Sequence, residues 1–284
     1  MRYGMIAPRT KIGREEVASH YDELDHFYRD VWGDHVHHGL WLRGDETREE
    51  AVRQLAELVA SEAQIAPGAR VCDIGCGYGA TSRLLAERGA HVTAITISPA
   101  QFAVAKAGQN GAKNPEFILG DWLENDLAPE SFDAAIAIES SEHMPELGSF
   151  FVHAHRVLRK GGRLVVCAWL SADHPNVRAR KWLLEPICRE GRMPSLGTAS
   201  EYESSGERAG FVLAHFEDIT AKVARTWPAI VRRLLGKFVT NPRYLQFLFS
   251  PHAHNRIFAL TILRIWIAYR VGAMKYGVFT FAKR

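Results

Sequence analysis

No Asp or Glu occurs from Ile219 to Arg284, a stretch that carries twelve Lys and Arg. The net charge of the 284 residues is only +3, so the first 218 stand at −9. Such one-sidedness calls for an anionic ligand, an anionic surface, or acidic partners in the first part of the chain. Cysteine is scarce: Cys72, Cys76, Cys167 and Cys188 form no CxxC pair and have no His or Cys at zinc spacing. A disulfide scaffold and a zinc module are thereby excluded, and reduced intracellular thiols are expected. There is no long hydrophobic run either. The most apolar segment, 257–269, is 13 residues long and contains Arg264, well short of the ~20 residues of a membrane span, so a buried or interfacial helix is expected there. The opening MRYGMIAPRTKIGREE has no apolar h-region, so no secretory signal is expected, and the location implied is cytoplasmic with at most peripheral membrane contact. At 24% charged and 47% hydrophobic, with 23 Gly and 12 Pro, the chain is neither disordered nor collagenous.

What is present is an alternation of two kinds of segment. Short apolar runs rich in β-branched residues at 70–73, 91–97, 117–119, 134–138 and 163–168 read as buried parallel strands. Between them, 80–88, 99–109 and 147–159 have the i, i+3, i+4 apolar spacing of helices, with Ser98 as N-cap and Pro99 at the first helical position of the second. A βαβα alternation requires right-handed crossovers and a doubly wound, mostly parallel sheet of the α/β class. Two helices precede the sheet, about 14–32 and 47–62, the second opened by Thr47 and Glu50 in capping-box spacing. After the fifth strand come a helical insertion over 173–210, a strand at 211–219, helices at 227–236 and 256–271, and a closing strand at 276–283.

The first strand runs through Val71-Cys-Asp-Ile-Gly-Cys-Gly-Tyr-Gly-Ala80 straight into a helix. Glycines at such a junction let a ligand lie against the backbone, and Gly75, Gly77 and Gly79 or Ala80 also satisfy the dinucleotide fingerprint, so an NAD(P)-dependent oxidoreductase is the alternative on the glycines alone. Three features favour another cofactor. Asp73 on the strand would repel a pyrophosphate but accepts from an ammonium or hydroxyl. The second strand ends at Thr96 rather than at a ribose-binding carboxylate, and Asp121 with Trp122 follows the third strand as an adenine acceptor and a ring to pack on it.

These residues resemble the S-adenosylmethionine site of the Rossmann-like methyltransferases over about 67–169. The resemblance implies S-adenosyl-L-methionine as cofactor, held by Asp73, Gly75, Gly77 and Gly79 around the methionine moiety, Thr96 with Gln101 at the ribose, and Asp121 and Trp122 at the adenine. Ile95-Thr-Ile-Ser-Pro-Ala-Gln101, Glu139-Ser-Ser-Glu-His-Met-Pro145, Tyr21-Asp22, Trp32-Gly-Asp-His-Val-His-His-Gly39 and Tyr269-Arg-Val-Gly-Ala-Met-Lys-Tyr276 together resemble the tocopherol O-methyltransferase branch. That branch is similar to sterol C-methyltransferases, alkaloid N-methyltransferases and, through the Glu-His pair, cyclopropane fatty acid synthases. The expected organisation is a Rossmann-like core of 65–172, 211–219 and 275–284, an N-terminal helical lid of 1–64, and acceptor-binding or lid segments at 173–210 and 220–274.

Methyl transfer from a sulfonium needs alignment and, for a hydroxyl acceptor, removal of a proton. Glu139, Glu142 and His143 fall at the C-terminal end of the fourth strand, where open α/β sheets put their sites. His143, with an ordinary pKa near 6.5, is the leading base, Glu142 its rival, and Glu139 either catalytic or part of the cofactor shell. The acceptor is expected to be a hydrophobic small molecule, methylated on oxygen or carbon, in a pocket lined by Tyr21, Trp32, His38, Trp41, Tyr244 and Tyr269, with Trp169, Trp182, Phe247 and Phe249 as further aromatics. Tyr21 or Trp41 also suits a cation–π contact with a sulfonium. His35, His37 and His38 lack the carboxylate pattern of a metal site, and no metal is expected. Two counterparts fit the basic C-terminal part: an anionic membrane surface, or an anionic acceptor such as a prenyl diphosphate clamped by Arg232, Arg233, Arg243 or Arg256. Nucleic acid is not expected, because the stretch is apolar between its charges.

Overall fold

The computed structural model describes residues 5–8, 11–249 and 258–284. Its strands are β1 (Arg70–Ile74), β2 (His91–Thr96), β3 (Glu116–Leu119), β4 (Phe132–Ile138), β5 (Leu158–Ser171), β6 (Phe211–Asp218) and β7 (Met274–Lys283). They form one seven-stranded sheet in the order β3-β2-β1-β4-β5-β7-β6. Strands β1 to β5 run parallel, and β7 inserts antiparallel between β5 and β6. Strand order reverses between β1 and β4, so their C-terminal ends open the crevice in which such sheets bind ligands. Side chains alternate across β1: Val71 enters one core, while Cys72 and Ile74 enter the other.

The helices follow the expected alternation. Helices α1 (Arg14–Trp32) and α2 (Arg48–Glu62) precede the sheet, and α3 (Ala80–Glu87), α4 (Pro99–Ala107) and α5 (Leu147–Val157) are the crossovers. Thr47 and Glu50 form the capping box of α2, and the Ser98 hydroxyl accepts from the Gln101 N–H at the start of α4. Helix α5 stops two residues before its expected end, because the carbonyls of His155 and Leu158 accept from the Lys283 ammonium and Leu158 already pairs with Phe132 in the sheet. The insertion holds α6 (Val177–Ala179), a π-helical turn (Arg180–Leu184), α7 (Glu185–Glu190) and α8 (Ala199–Arg208). The insertion does not stand apart from the core as a whole. Tyr202 of α8 stacks on Phe279 of β7 and lies in the same core as Phe151 of α5, so α8 belongs to the sheet layer.

Helices α9 (Thr220–Val223), α10 (Thr226–Thr240), α11 (Pro242–Phe249) and α12 (Phe258–Arg270) fill the stretch before β7. Of the eleven described basic residues after Asp218, six meet an acidic partner: Lys222 with Glu217, Arg233 with Glu49, Lys237 with Asp30, Arg264 with Glu190, Lys275 with Asp218 and Lys283 with Glu130. Intramolecular pairing therefore absorbs half of the asymmetry. All four cysteines are free thiols. Among the described residues no helix is long and apolar enough to cross a membrane, and no group of three or more His, Cys, Asp and Glu is set to hold a metal ion.

Candidate active site

Two cavities meet above the C-terminal ends of β1 and β4. The first is lined by Gly75 and Gly77 of the glycine loop, Thr96 and Gln101 beyond β2, Asp121 and Trp122 beyond β3, and Ser140 beyond β4. All of these but Ser140 are assigned from sequence to the cofactor, and they are drawn together from four strand ends. A smaller recess continues from Gly75 and Gly77 to Asp73, His35 and Thr81. Helix α1 roofs the first cavity with Arg14, Val17 and Tyr21. It is fastened there by Asp22, which accepts from the Ser98 hydroxyl at 2.6 Å, and by Asp25, which accepts from the Tyr78 hydroxyl at 2.9 Å.

The glycine loop makes the cradle in two ways. At Gly75, with φ +75°, an added Cβ would lie 2.3 Å from Ser140 Cβ, so only glycine passes. At Gly77, with φ +55°, an added Cβ would meet nothing within 4 Å, which leaves the backbone bare for a ligand to approach. Gly79 differs from its expected role. Its missing Cβ makes room for the Phe117 ring, which would otherwise lie 2.4 Å away, so this glycine serves helix–strand packing.

Asp73 is buried, and its Oδ2 accepts from the Ser82 hydroxyl at 2.5 Å. Burial raises its pKa to about 6 although the Ser82 bond works the other way. The Thr96 hydroxyl donates to Gln101 Oε1 at 2.9 Å, which leaves the Gln101 amide N–H groups to present to the cavity. Gln101 rather than Thr96 is thus the group free for a ribose hydroxyl. Asp121 Oδ1 accepts from the Leu123 N–H at 2.8 Å. Trp122 is 3% exposed, its indole N–H bonded to the Phe150 carbonyl at 3.3 Å, so it is a wall of the cavity anchored in the core. An S-adenosyl ligand fits this set: a bare backbone loop, a buried carboxylate for an ammonium, amide donors for a ribose and a carboxylate beside an aromatic wall.

The second cavity is lined by Tyr28, Trp32, Trp169, Ile187, Met193, Trp227, Thr261 and Ile265, with Glu142 in its wall. Tyr21, Val36, Glu139 and His143 line both cavities. His143 Nδ1 faces the Arg192 carbonyl at 3.3 Å, so the proton sits on Nδ1 and Nε2 accepts from the Tyr21 hydroxyl at 2.9 Å. Burial lowers the His143 pKa, which keeps the ring neutral at neutral pH. Burial, and then the Glu142 and Glu139 carboxylates, raise that of Tyr21.

The two glutamates have opposite fates. Glu139, with φ +53°, receives four hydrogen bonds: the His38 N–H at 2.7 Å, His38 Nδ1 at 3.0 Å and the Tyr276 hydroxyl at 2.7 Å on Oε1, and the Trp169 indole N–H at 2.7 Å on Oε2. Burial works to raise its pKa, but the His38 contacts and the His37 ring hold it down to about 2. Glu142 accepts from the Trp169 N–H at 2.5 Å and from the Ser141 hydroxyl at 3.2 Å, yet burial pushes it up to about 8. Glu139 is a permanent anion already spent on donors, and Glu142 is mostly protonated at pH 7.

Several expected acceptor residues lie elsewhere. The Trp41 indole donates to Thr226 and its ring lines a separate depression with Arg48 and Arg225. Tyr244 donates to Asp30 at 3.1 Å beneath Phe27 and Phe238. Trp182 is 65% exposed under Lys181. His38 and Tyr269 stand behind the wall of the second cavity, packed on Trp227. The side chains of Phe247 and Phe249, and all of Arg256, lie outside the described residues. Sequence reasoning missed Trp227, Thr261 and Ile265, which no local motif marks because α10 and α12 bring them in only by tertiary packing, and Val36, which lies inside the Trp32–Gly39 motif without being singled out by it.

The model of the mycolic acid cyclopropane synthetase family matches residues 9–238. The chain is 29% identical to the chloroplastic tocopherol O-methyltransferase of Arabidopsis thaliana over 98% of this chain and 84% of that one. It is 27% identical to the 2-methyl-6-phytyl-1,4-hydroquinone methyltransferase of Synechocystis sp. over 97% of this chain and 90% of that one. The structure of the mycolic acid cyclopropane synthase CmaA1, complexed with SAH and CTAB, matches with a TM-score of 0.82 at 21% identity, over 96% of this chain and 99% of that one. The NAD(P)-dependent alternative falls with the family match. A family model covering most of the chain, over a glycine-loop cavity of this composition, places the protein in the mycolic acid cyclopropane synthetase family, and it is an S-adenosylmethionine-dependent methyltransferase.

Proposed function

We propose that the protein O-methylates a hydrophobic, hydroxyl-bearing small molecule, with an aromatic ring and an isoprenoid-like tail, and that His143 is the base. The observation that carries this reading is the membership of the shared wall. Of the four residues that line both cavities, Val36 has no proton to move and the Glu139 carboxylate is filled by donors. Tyr21 and His143 remain, and their 2.9 Å bond puts a phenolic hydroxyl on His143 Nε2 where an acceptor hydroxyl would deliver its proton.

Asp73, Gly75, Gly77, Gln101 and Asp121 would hold S-adenosylmethionine, which supplies an activated sulfonium methyl when bound. The residues of the chain do the rest: α1 roofs the junction and excludes water, Tyr21 orients the acceptor oxygen, and His143 Nε2 takes its proton as the oxygen–carbon bond forms. Among the described residues, the wall of the second cavity has no Lys or Arg and does have Glu139 and Glu142. It suits a neutral acceptor better than a prenyl diphosphate, and Arg232, Arg233 and Arg243 lie on the exposed side of their helices. The tocopherol and phytyl-hydroquinone methyltransferases among the relatives support a phenolic, isoprenoid-tailed acceptor.

The outer side of the same helices supports contact with an anionic bilayer. Leu235 and Val239 on α10, and Leu260, Leu263 and Ile267 on α12 followed by Val271, are exposed, interspersed with Arg232 and Arg270 and with no acidic residue. Methyl transfer from labelled S-adenosylmethionine to an alkylated hydroquinone, with the ether identified by mass spectrometry, tests the activity; no phenolic ether from any alkylated phenol or hydroquinone would overturn it. Flotation with anionic but not neutral liposomes tests the surface, and equal behaviour with both would remove it.

A further inference from the structure

Between the turn that leads into α2 and the start of α10 lies a depression that shares no lining residue with either cavity of the candidate site. Arg48, Arg225 and Arg232 line it, with Trp41 and Pro228 as its apolar part. Among the described residues none of the three arginines is paired with a carboxylate, and Glu49, next to Arg48 in the chain, is paired with Arg233 at 3.8 Å. Glu46 also lines the depression, but its carboxylate accepts from the N–H groups of Leu42, Arg43 and Gly44, each at 2.7 Å. Three arginines against one glutamate leave the lining at +2.

The arginines are set in place by the surrounding structure. The Trp41 N–H donates to the Lys222 carbonyl at 2.9 Å and its indole to the Thr226 hydroxyl at 3.1 Å, which ties the turn to the start of α10. Gly44, at φ +92°, gives the Arg225 guanidinium room against the backbone, where a Cβ would clash with Nη1. Arg48 donates through Nη2 to the His35 carbonyl at 2.9 Å, and its Nε is buried without a partner. Burial and then Arg233 lower the Arg48 pKa to about 10, as expected of a cation with no anion beside it.

We propose that Arg48, Arg225 and Arg232 bind a phosphate monoester, on a lipid headgroup or free in solution, at a site separate from methyl transfer. Such a group carries about −1.5 to −2 charge at pH 7 and three acceptor oxygens, which matches the charge of the lining and the fork geometry of guanidinium groups. A phosphate diester or a carboxylate brings a single charge and leaves the lining positive. Pro228, Arg232, Leu235 and Val239 recur at helical spacing on one face of α10, and Leu235 and Val239 are exposed. An apolar strip therefore leads away from the arginines, as an alkyl chain attached to the phosphate requires. The lipid source rests on the bilayer contact proposed above, and the site itself does not.

Calorimetry on the full chain at low ionic strength, with phenyl phosphate and dimethyl phosphate as probes, tests the group. Phenyl phosphate is expected to bind once per chain, about tenfold more tightly than the diester. Arg225→Gln and Arg232→Gln are each expected to weaken it by about tenfold, and Arg243→Gln, which removes an exposed charge outside the depression, by less than about twofold. The source is read from phosphatidylcholine vesicles that carry phosphatidic acid or, at equal charge, phosphatidylglycerol. A preference for phosphatidic acid that Arg225→Gln abolishes assigns the site to a lipid. Phenyl phosphate binding with no such preference, or with one that the variant keeps, assigns it to a soluble monoester. No saturable binding of phenyl phosphate, equal binding of the diester, or equal losses in all three variants would each overturn the site. Equal flotation with anionic and neutral vesicles while phenyl phosphate still binds removes the bilayer contact and leaves the site standing.

Discussion

Replacing Glu139 by Gln changes one atom in the most heavily bonded side chain of the site, and the cost follows from which oxygen is lost. Oε1 receives three donors and Oε2 one. The amide keeps its oxygen towards His38 and Tyr276 and turns its NH2 group against the Trp169 indole N–H, donor to donor. One charge-assisted bond of about 1.5–3 kcal/mol is lost and a buried N–H is left unpaired, so destabilisation should reach roughly 3 kcal/mol. For a domain of this size that is a fall in melting temperature on the order of 5–10 °C. The pH dependence gives a second handle. The folded pKa of Glu139, about 2, lies below its ordinary 4.5, so its contribution is complete above pH 4.5 and is lost as pH falls towards 2, again about 3 kcal/mol. Thermal melts of wild type and Glu139→Gln from pH 7 down to 3 should therefore converge on acidification. Equal stability at pH 7, or curves that stay parallel, would refute the role of Glu139 as the tie between the His38 loop, β5 and β7.

His143→Ala should lower turnover by roughly 10²–10⁴ with S-adenosylhomocysteine affinity nearly unchanged; full activity at pH 7 would remove it as the base. Because burial lowers the His143 pKa, the acid limb of the wild-type rate profile should lie below pH 6.5, and a limb above 7 would contradict a neutral His143. Asp73, at about 6, must be ionised to hold an ammonium, so cofactor affinity should rise from pH 5 to 7 with proton release seen by calorimetry in two buffers. Asp73→Asn should weaken it by an amount on the order of 1.5–3 kcal/mol and abolish that dependence; unchanged affinity would take Asp73 out of the site. Glu142 is raised to about 8, so the folded state loses stability as pH rises from 4.5 through 8, and Glu142→Gln should melt several degrees above wild type at pH 8.5 but not at pH 4.5. No difference at pH 8.5 would mean that the carboxyl is not desolvated. Trp41→Phe should leave turnover within about twofold, since only truncations that touch the reacting groups cost transition-state stabilisation, and a tenfold loss would put Trp41 back at the acceptor.

The sheet was legible because its signals are local. Continuous apolar runs, a glycine junction, Ser98-Pro99 and the Thr47–Glu50 box each act within one turn or strand, and the observed strands start and stop within two residues of the reading except β5, which begins five residues earlier and ends three later. The cofactor cavity was legible for the same reason: its residues sit at strand ends whose order the topology dictates. The acceptor side was not. Trp41 and Tyr244 have the same composition signal as Trp32 and Trp227, but Thr226 and Asp30 capture their polar tips on the far side of the packing. The partners of the basic segment were hidden in the same way, since Asp30, Glu49, Glu130 and Glu190 come to it only through tertiary contact.

The neighbourhood of His143 favours a histidine over a carboxylate for the proposed proton transfer. A buried carboxylate in this corner has two choices: to be filled with donors and stay ionised, as Glu139 is, or to remain under-solvated and hold its proton, as Glu142 does. The first has no lone pair to spare, and the second has no vacancy for a proton at neutral pH. A tyrosine fares no better, since burial and the two carboxylates push the Tyr21 phenol up and away from ionisation. An imidazole responds to the same burial in the opposite direction, because the form that desolvation favours is the neutral base. The Arg192 carbonyl then holds the ring in the tautomer that aims its lone pair at Tyr21 and the junction of the two cavities. Desolvation, which holds the protons on Glu142 and Tyr21, is what keeps His143 ready to accept.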